Sequence, residues 1–81
     1  AAMETDVRGM NLDEAIMVVD KFLDDCYLSS LHEITIIHGK GTGALRSAVH
    51  NHLKRIKYVK NYRLGEYGEG DAGVTIVTFK E

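Results

Sequence analysis

The sequence contains no proline, a single cysteine and no long hydrophobic run. The absence of proline argues against a linker or a low-complexity segment. Cys26 cannot form a disulfide within the chain, and its place in a helical apolar stripe predicts a buried thiol rather than a nucleophile. No apolar run reaches the roughly 18 residues of a membrane helix, and the start lacks a signal-peptide pattern. We therefore expect a globular protein of the cytoplasm with no membrane partner.

The length and composition are those of a small folded domain. The 81 residues leave room for one domain, spanning 1–81, whose core is expected to be only marginally stable. A hydrophobic content of 44% and a charged content of 27% agree with that class. Because the chain opens on Ala1-Ala2-Met3 without an obvious start, we expect it to be a piece of a longer protein.

Charge is distributed unevenly along the chain, although the net charge is only −2. Residues 1–33 hold eight acidic side chains against two basic ones, whereas residues 34–65 hold seven of the ten basic side chains and no acid. Those seven are Lys40, Arg46, Lys54, Arg55, Lys57, Lys60 and Arg63. Such asymmetry can create a positive face that attracts a polyanion, although a solvated helix surface would give the same pattern.

The first half of the sequence predicts a strand, a helix and a second strand. Residues 3–7 alternate between charged side chains and side chains expected to be buried, as in a strand with one buried side. Asn11 is a good helix N-cap, and apolar residues then recur at helical steps to about Tyr27 or Leu28. Residues 31–38 contain an uninterrupted β-branched run, which predicts a central strand buried on both faces.

The second half predicts a helix and two more strands. The apolar spacing indicates a helix over about Ala44–Ile56, a strand over Tyr58–Glu66 and a last strand over Val74–Lys80. A glycine-rich turn is expected at residues 65–73. The order β-α-β-α-β-β predicts an α/β protein of the α+β two-layer sandwich kind. Its four-stranded mixed sheet is expected to carry two helices through right-handed crossovers.

A glycine-rich loop joins the predicted central strand to the second helix. Gly39, Gly41 and Gly43 alternate with Lys40 and Thr42. Glycines let the backbone approach an anion closely, and backbone amides and the positive end of the next helix favour phosphate there. The segment matches neither the dinucleotide-binding pattern nor the Walker pattern, so we expect no tight nucleotide binding. A tight turn that needs positive φ angles is the alternative interpretation.

His38 and Lys40 add reactive chemistry to this loop. A histidine exchanges protons near neutral pH, and a lysine places a fixed cation beside the proposed anion site. Cleavage of a phosphodiester requires proton transfer and stabilisation of the charge in the transition state, which these residues could supply. A histidine at the end of a strand is also often a structural hydrogen-bonding group, and the spacing alone leaves that alternative open.

Two segments together resemble the signatures of the small MutS-related (Smr) domain family. The segments are Asp6-Val7-Arg8-Gly9-Met10 and His38-Gly39-Lys40-Gly41-Thr42-Gly43. The resemblance covers nearly the whole chain, including the spacing between the segments and the final strand. Family members that stand alone usually carry histidine at the position of Arg8, and the arginine resembles the form at the C-terminus of bacterial MutS-two proteins. Thr5 replaces the leucine that is usual before the aspartate.

The resemblance implies a fold similar to the C-terminal domain of translation initiation factor three, with both segments on one edge of the sheet. It also implies a nicking endonuclease on DNA or an RNA-cleaving domain. Through its parent protein, the resemblance implies suppression of homologous recombination at branched DNA, or action on stalled, collided ribosomes. ATP hydrolysis and dimerisation would then belong to other domains of the parent. The matching site residues are Asp6, Arg8, His38, Gly39, Lys40, Gly41 and Gly43.

We expect the site to combine catalytic residues with phosphate-binding residues. His38 would act as general acid or base, Lys40 and Arg8 would stabilise phosphate charge, and Asp6 would orient a partner. The expected nucleic-acid-binding residues are Gly39, Gly41, Thr42, Gly43, Arg46, Lys54, Arg55, Lys57, Lys60 and Arg63. The sequence has no zinc pattern and predicts no metal site, although Asp6 could help to hold a magnesium or manganese ion.

Three further features have open interpretations. His50 and His52 are two residues apart on a predicted helix, so they point to different faces and cannot share a metal. The tyrosines among the basic residues suit either base stacking on single strands or packing within the fold. They are Tyr58, Tyr62 and Tyr67. Residues 66–73 could close over a substrate or form a plain hairpin loop.

The function classes that remain are distinct. The leading interpretation is a DNA-nicking endonuclease. The alternative is a non-catalytic or RNA-directed module that docks its parent protein on branched DNA or on ribosomes, and a protein-interaction domain ranks third. The sequence does not distinguish DNA from RNA, because phosphate contacts report neither base nor sugar identity.

Overall fold

A computed structural model describes residues 3–81, so Ala1 and Ala2 of the predicted domain lie outside the described residues. Its strands are β1 (Met3–Asp6), β2 (Glu33–Ile37), β3 (Val59–Leu64) and β4 (Val74–Phe79). Its helices are α1 (Leu12–Leu28) and α2 (Ala44–Leu53), and a short 3-10 turn (Asp71–Gly73) precedes β4. The predicted β-α-β-α-β-β order is confirmed.

The four strands form one mixed sheet in the order β1-β2-β4-β3. β1 and β2 are parallel, and β4 runs antiparallel to both of its neighbours, β2 and β3. The two crossovers advance across the sheet in the same direction, so right-handed connections place both helices on one face. α1 and α2 accordingly contact each other. The predicted two-layer α+β architecture is therefore confirmed.

The core lies between this helical layer and the sheet. Its fully or almost fully buried members are Val7, Ala15, Val19, Leu23, Cys26, Ile34, Ile36, Val49, Leu53, Val59, Val77 and Phe79. Burying a large apolar side chain contributes about 1.5–3 kcal/mol, so these contacts fix which face the helices cover. Cys26 is a buried free thiol, as predicted, and burial raises its pKa.

The burial of the central strands differs from the prediction. In β2 only Ile34 and Ile36 are buried, while Thr35 and Ile37 are half-buried, because no helix covers the second face. The prediction that this strand is buried on both faces was wrong. The uniformly buried segment is the start of β4, where a Cβ at Gly65 or Gly70 would lie only 2.6 Å from the Val74 side chain. The loop before β4 therefore covers Val74.

Several element ends also differ from the predicted ones. α2 ends at Leu53 instead of Ile56, because the amides of Arg55 and Ile56 donate to carbonyls three residues back in a tightened turn. β2 and β3 are shorter than predicted, and Met3 of β1 is 47% exposed rather than buried. α1 ends at Leu28, as predicted. Neither helix in the described part of the chain has the length and apolar character needed to cross a lipid bilayer.

Candidate nucleic-acid interface

The parallel pairing of β1 and β2 brings the two signature segments together. Asp6 is in register with Ile37, so the residues that follow each strand leave the sheet side by side. Residues 8–12 and 38–46 line a single cleft at this edge. The cleft also lies at the starts of both helices, since α1 begins at Leu12 and α2 at Ala44.

The glycine loop has the positive φ angles that the tight-turn interpretation requires. Gly39, Gly41 and Gly43 have φ angles of +78°, +33° and +87°, which disfavour residues with a Cβ. Two arginine side chains lie against the loop. A Cβ at Gly39 would approach the Arg8 side chain to 3.3 Å, and one at Gly43 would approach the Arg46 guanidinium to 2.8 Å. The glycines therefore allow both arginines to approach the backbone.

The amides of the loop fall into two groups. Those of His38 and Gly39 both donate to the carbonyl of Gly73, at 3.1 and 2.9 Å. Within residues 3–81, no backbone carbonyl accepts from the amides of Lys40, Gly41, Thr42, Gly43, Leu45 and Arg46. Most of the loop and the first turn of α2 therefore keep hydrogen-bond donors free for an external anion.

The two helix N-termini at the cleft differ in their capping and in their nearby charges. The side chain of Asn11 caps α1 by accepting from the Glu14 amide at 2.9 Å, and Asp13 and Glu14 add negative charge there. The N-cap residue of α2 is Gly43, which offers no side-chain cap. The Thr42 hydroxyl accepts from the Ala44 amide at 3.3 Å, and the first turn of this helix holds no acid. The positive end of the α2 dipole is therefore the one available to an anion.

Asp6 and Arg8 form an ion pair at the rim of the cleft. Arg8 Nη2 lies 2.6 Å from Asp6 Oδ2, and Arg8 Nε lies 3.0 and 3.1 Å from the two carboxylate oxygens. Hydrogen bonds from the Arg8 side chain and amide lower the pKa of Asp6 to about 2. The carboxylate is ionised at neutral pH and fixes the direction of the guanidinium.

The residues around Asp6 do not fit a metal held by several protein ligands. Both carboxylate oxygens are already engaged by Arg8. Among residues 3–81, no three His, Cys, Asp or Glu side chains converge as a metal site would require.

His38 lies beneath the loop rather than on its surface. Its side chain is only 4% exposed, with Nδ1 at 2.9 Å from the Gly39 carbonyl and Nε2 at 2.8 Å from the Thr75 hydroxyl. Burial is the main cause that lowers the pKa of His38. Sequence reasoning missed Thr75, which is fully buried in β4 and also contacts His50 at 2.7 Å. The only sequence signal was a hydroxyl within an aliphatic strand.

The predicted basic residues extend along the length of α2 and beyond its end. α2 starts at the loop and runs for ten residues, so its C-terminus lies about 15 Å away at 1.5 Å per residue. We call residues 38–43 with Arg8 and Arg46 the loop end. The far end holds the exposed cations beyond α2, namely Lys54, Arg55, Lys57 and Lys60. Arg63 belongs to neither group, since it pairs with Glu69 at 2.8 Å.

The aromatic residues divide between packing and exposure. Tyr58 stacks on Tyr27 with ring centroids 4.3 Å apart and donates a hydrogen bond to Asp24, so it serves packing. Tyr62 packs against the core and against His50. Tyr67 is 97% exposed and is the tyrosine that remains free to stack on a base.

The two helical histidines point to different faces of α2, as predicted. His50 contacts Thr75 under the loop, whereas His52 Nε2 lies 2.9 Å from Asp20 on α1. The loop of residues 66–73 is held by local contacts: the Glu66 amide donates to the Glu69 carboxylate, which also pairs with Arg63 on β3. This loop touches the glycine loop through Gly73.

The arrangement of these two segments on one sheet edge has a counterpart among known proteins. The model of the Smr domain family matches residues 5–80. The chain belongs to the Smr domain family. The crystal structure of the Smr domain of Thermus thermophilus MutS2 superposes with a TM-score of 0.95 at 39% identity, covering 99% of this chain and 100% of that one. YdaL, a stand-alone small MutS-related protein from Escherichia coli, has a TM-score of 0.91 at 23% identity, over 96% of this chain and 64% of that one, and shows the same fold.

Similar full-length proteins are bacterial. The chain is 62% identical over 77 residues to proteins named Endonuclease MutS2 from Lachnoclostridium phytofermentans and Acetivibrio thermocellus. Those matches cover 95% of this chain and 10% of each relative. The Smr chain thus spans about a tenth of the length of the curated relatives it matches.

Proposed function

We propose that this Smr domain binds the phosphodiester backbone of nucleic acid at the loop end and nicks DNA there. The observation that most supports the proposal is the start of α2, which holds no acid and where free loop amides meet three cations. These cations are Arg8, Lys40 and Arg46, which all line the same cleft. Preorganised donors and cations of this kind stabilise the charge that develops on a phosphate during cleavage.

Each residue of the cleft has a distinct role in this proposal. The amides and Lys40 hold the phosphate, Arg8 stabilises its developing charge, and Asp6 orients Arg8 through their ion pair. His38 is the proton-transfer residue. Because its Nδ1 is hydrogen-bonded to the Gly39 carbonyl, it must exchange that carbonyl for a substrate oxygen to act. The far-end cations add attraction for a nucleic acid long enough to reach them.

The proposal extends to the parent protein. The relatives named Endonuclease MutS2 are about ten times as long as this chain. We assign the chain to a MutS2-type bacterial protein that acts in the cytoplasm on DNA, including branched DNA, and suppresses homologous recombination. ATP hydrolysis and dimerisation would be supplied by its other domains.

A second candidate function is a docking module that binds nucleic acid without cleaving it. The observation that favours it is the burial of His38, both of whose ring nitrogens are occupied by hydrogen bonds. Such a module would use the same amides and cations and would need no proton exchange. Its target would be branched DNA or ribosomal RNA, for which phosphate contacts alone give no preference.

Supercoiled plasmid tests the two functions directly. The 81-residue chain, His38→Ala and Lys40→Ala would be incubated with plasmid in magnesium, in manganese and in chelator, with Lys57→Ala as a far-end control. The nuclease proposal predicts nicked circles from the wild type and from Lys57→Ala, and none from the two loop-end variants. Equal nicking by all four proteins would identify a contaminant and contradict the proposal. Intact plasmid with retained DNA binding would establish the docking module.

A further inference from the structure

A chain of hydrogen bonds runs beneath the glycine loop and links three elements. His50 on α2 lies 2.7 Å from the Thr75 hydroxyl on β4, which lies 2.8 Å from His38 Nε2. His38 Nδ1 then lies 2.9 Å from the Gly39 carbonyl. We call these three bonds, from His50 through Thr75 and His38 to Gly39, the relay. Within residues 3–81, every buried side-chain nitrogen and oxygen has a hydrogen-bond partner, so the relay leaves none of its buried polar atoms unsatisfied.

The direction of each hydrogen bond in the relay follows from its Gly39 end. A carbonyl only accepts, so His38 Nδ1 must carry a proton and donate it to Gly39. In neutral His38 the other nitrogen then has no proton and must accept from the Thr75 hydroxyl. That hydroxyl has one proton, so it can only accept from His50 Nε2. One order of protons satisfies all three bonds.

We propose that Thr75 and His50 are positioning residues that hold His38 in the tautomer protonated at Nδ1, and through it hold the Gly39 carbonyl beneath the glycine loop. The proposal deepens the proposed function and rests on it, because it concerns how that same phosphate site is kept in shape. Toward the loop, His38 then presents a hydrogen-bond donor and no lone pair. His38 would therefore offer the substrate a hydrogen bond, and a proton given up from Nδ1 would have to be replaced at Nε2 by the proton of the Thr75 hydroxyl.

The surroundings of both histidines favour this neutral arrangement. Arg46 faces both rings, and Lys54 also faces His50. Burial and Arg46 lower the pKa of both histidines, and His38 and Lys54 further lower the pKa of His50, which favours the neutral form of both rings at pH 7. The remaining neighbour from the sheet is Tyr62, whose ring lies 4.8 Å from that of His50. No carboxylate in the described residues lies within ion-pair distance of either ring.

The relay also explains how the loop can keep free amides without losing its shape. The Gly39 amide donates to Gly73, and its carbonyl accepts from His38, so the first glycine is held on both sides. Gly73 lies two residues before Thr75 in the same segment. The turn into β4 and the start of β4 thus hold one end of the loop, while the next residues keep their donors for phosphate.

Ring-nitrogen NMR of the free domain tests the proposal without reference to activity. In the ¹⁵N-labelled 81-residue chain, His38 should show a protonated Nδ1 and a bare Nε2 at pH 7, with His38→Ala used for assignment. Thr75→Val removes the hydroxyl that donates to Nε2, so the Nε2 resonance should move and the ring should be held less firmly in this tautomer. Thr75→Ser keeps a hydroxyl at this position and should therefore give the wild-type ring-nitrogen spectrum of His38. A wild-type ring protonated at Nε2, or an unchanged spectrum in Thr75→Val, would overturn the proposal.

His50 provides a second pair of variants that spares the core. His50→Leu removes the donor to Thr75, whereas His50→Gln keeps a donor of similar reach. Binding of a short DNA duplex should weaken about three- to tenfold in Thr75→Val and His50→Leu, the usual effect of losing one hydrogen bond. It should recover in Thr75→Ser and His50→Gln. Equal affinity in all four variants would show that the relay does not shape the loop.

The two proposals fail separately. If the tautomer and its dependence on Thr75 are found but no protein nicks plasmid, the relay stands and the nuclease function falls. If nicking depends on His38 but the ring is protonated at Nε2, the nuclease stands and the relay falls. Circular dichroism and thermal unfolding of each variant would separate loss of the relay from loss of the fold.

Discussion

The two ends of α2 carry similar numbers of cations but differ in what surrounds them. At the loop end, Arg8, Lys40 and Arg46 line one cleft together with free amides and a helix start that holds no acid. At the far end, the cations stand on a helix C-terminus and on the chain that follows it. Carbonyls rather than amides point outward there, and α1 contributes Asp20 and Asp24 nearby. What distinguishes the proposed phosphate site from the far end is therefore its backbone and not its number of cations.

The largest contrast is expected from removing the cations of each end in turn. Lys40→Ala combined with Arg46→Ala should lower affinity for duplex DNA by about 10- to 100-fold, because each loses a charge-assisted contact in a confined cleft. Lys54→Ala combined with Lys57→Ala is the matched pair at the far end. This pair should lower the affinity for duplex DNA by only about two- to fourfold, because it contributes general electrostatic attraction alone. Fluorescence anisotropy at several salt concentrations measures both pairs, and equal losses would abolish the distinction between the two ends.

The backbone of the loop end should matter as much as its charges. Gly43→Ala places a Cβ at φ +87° and 2.8 Å from the Arg46 guanidinium, so it should cost about 1–2 kcal/mol of stability and weaken DNA binding. Gly68→Ala is the matched control, since its φ is +90° and nothing lies within 4 Å. Gly68→Ala should lose similar stability yet bind DNA normally. Denaturant unfolding and binding, measured together, separate strain from site damage, and normal binding by Gly43→Ala would contradict a role for the loop backbone.

The buried histidines should make the stability of the domain depend on pH. Their pKa values in the folded state are lowered from the ordinary 6.5, so the fold favours the neutral rings. The resulting stability is fully present above pH 6.5 and is lost as the pH falls below 6.5 toward the folded values. The unfolding temperature should therefore drop in that window, and His50→Gln should reduce the drop. A wild-type unfolding temperature that stays constant there would contradict the burial of neutral histidines.

The smallest expected effect comes from the ion pair at the rim. Asp6→Asn removes a negative charge beside the cleft and loosens Arg8, so DNA affinity should rise by about two- to threefold. Nicking should nevertheless fall, because the direction of Arg8 is no longer fixed. Glu69→Gln releases Arg63 in the same way outside the cleft and should change neither property. Plasmid nicking and DNA titration of the two variants provide the comparison, and unchanged nicking by Asp6→Asn would show that the ion pair does not orient Arg8 for the reaction.

The sequence predicted those parts of the molecule that depend on local patterns. Asn11 caps α1, and the element order and sheet type are as predicted. Local patterns did not predict the burial of side chains on the face of the sheet that no helix covers. The β-branched run of β2 suited a strand covered on both sides, but both helices pack on the same face.

The candidate site was predictable only in part. The two signature segments lie together because β1 and β2 are parallel neighbours. The relay was not predictable, since Thr75 is 37 residues from His38 and 25 from His50 along the chain. The spacing of the basic residues was not predictable either, because a count of charges along the sequence ignores the length of α2, which sets the distance between the cations at its two ends.

The most direct test of the loop end as the phosphate site is an amide NMR titration of the 81-residue chain with a short DNA duplex. We predict the largest shifts at the loop and first-turn amides within residues 40–46, most of which have no backbone acceptor, and smaller changes at residues 54–60. Shifts concentrated at residues 54–60, with the glycine loop unchanged, would contradict this prediction and place the interface at the far end.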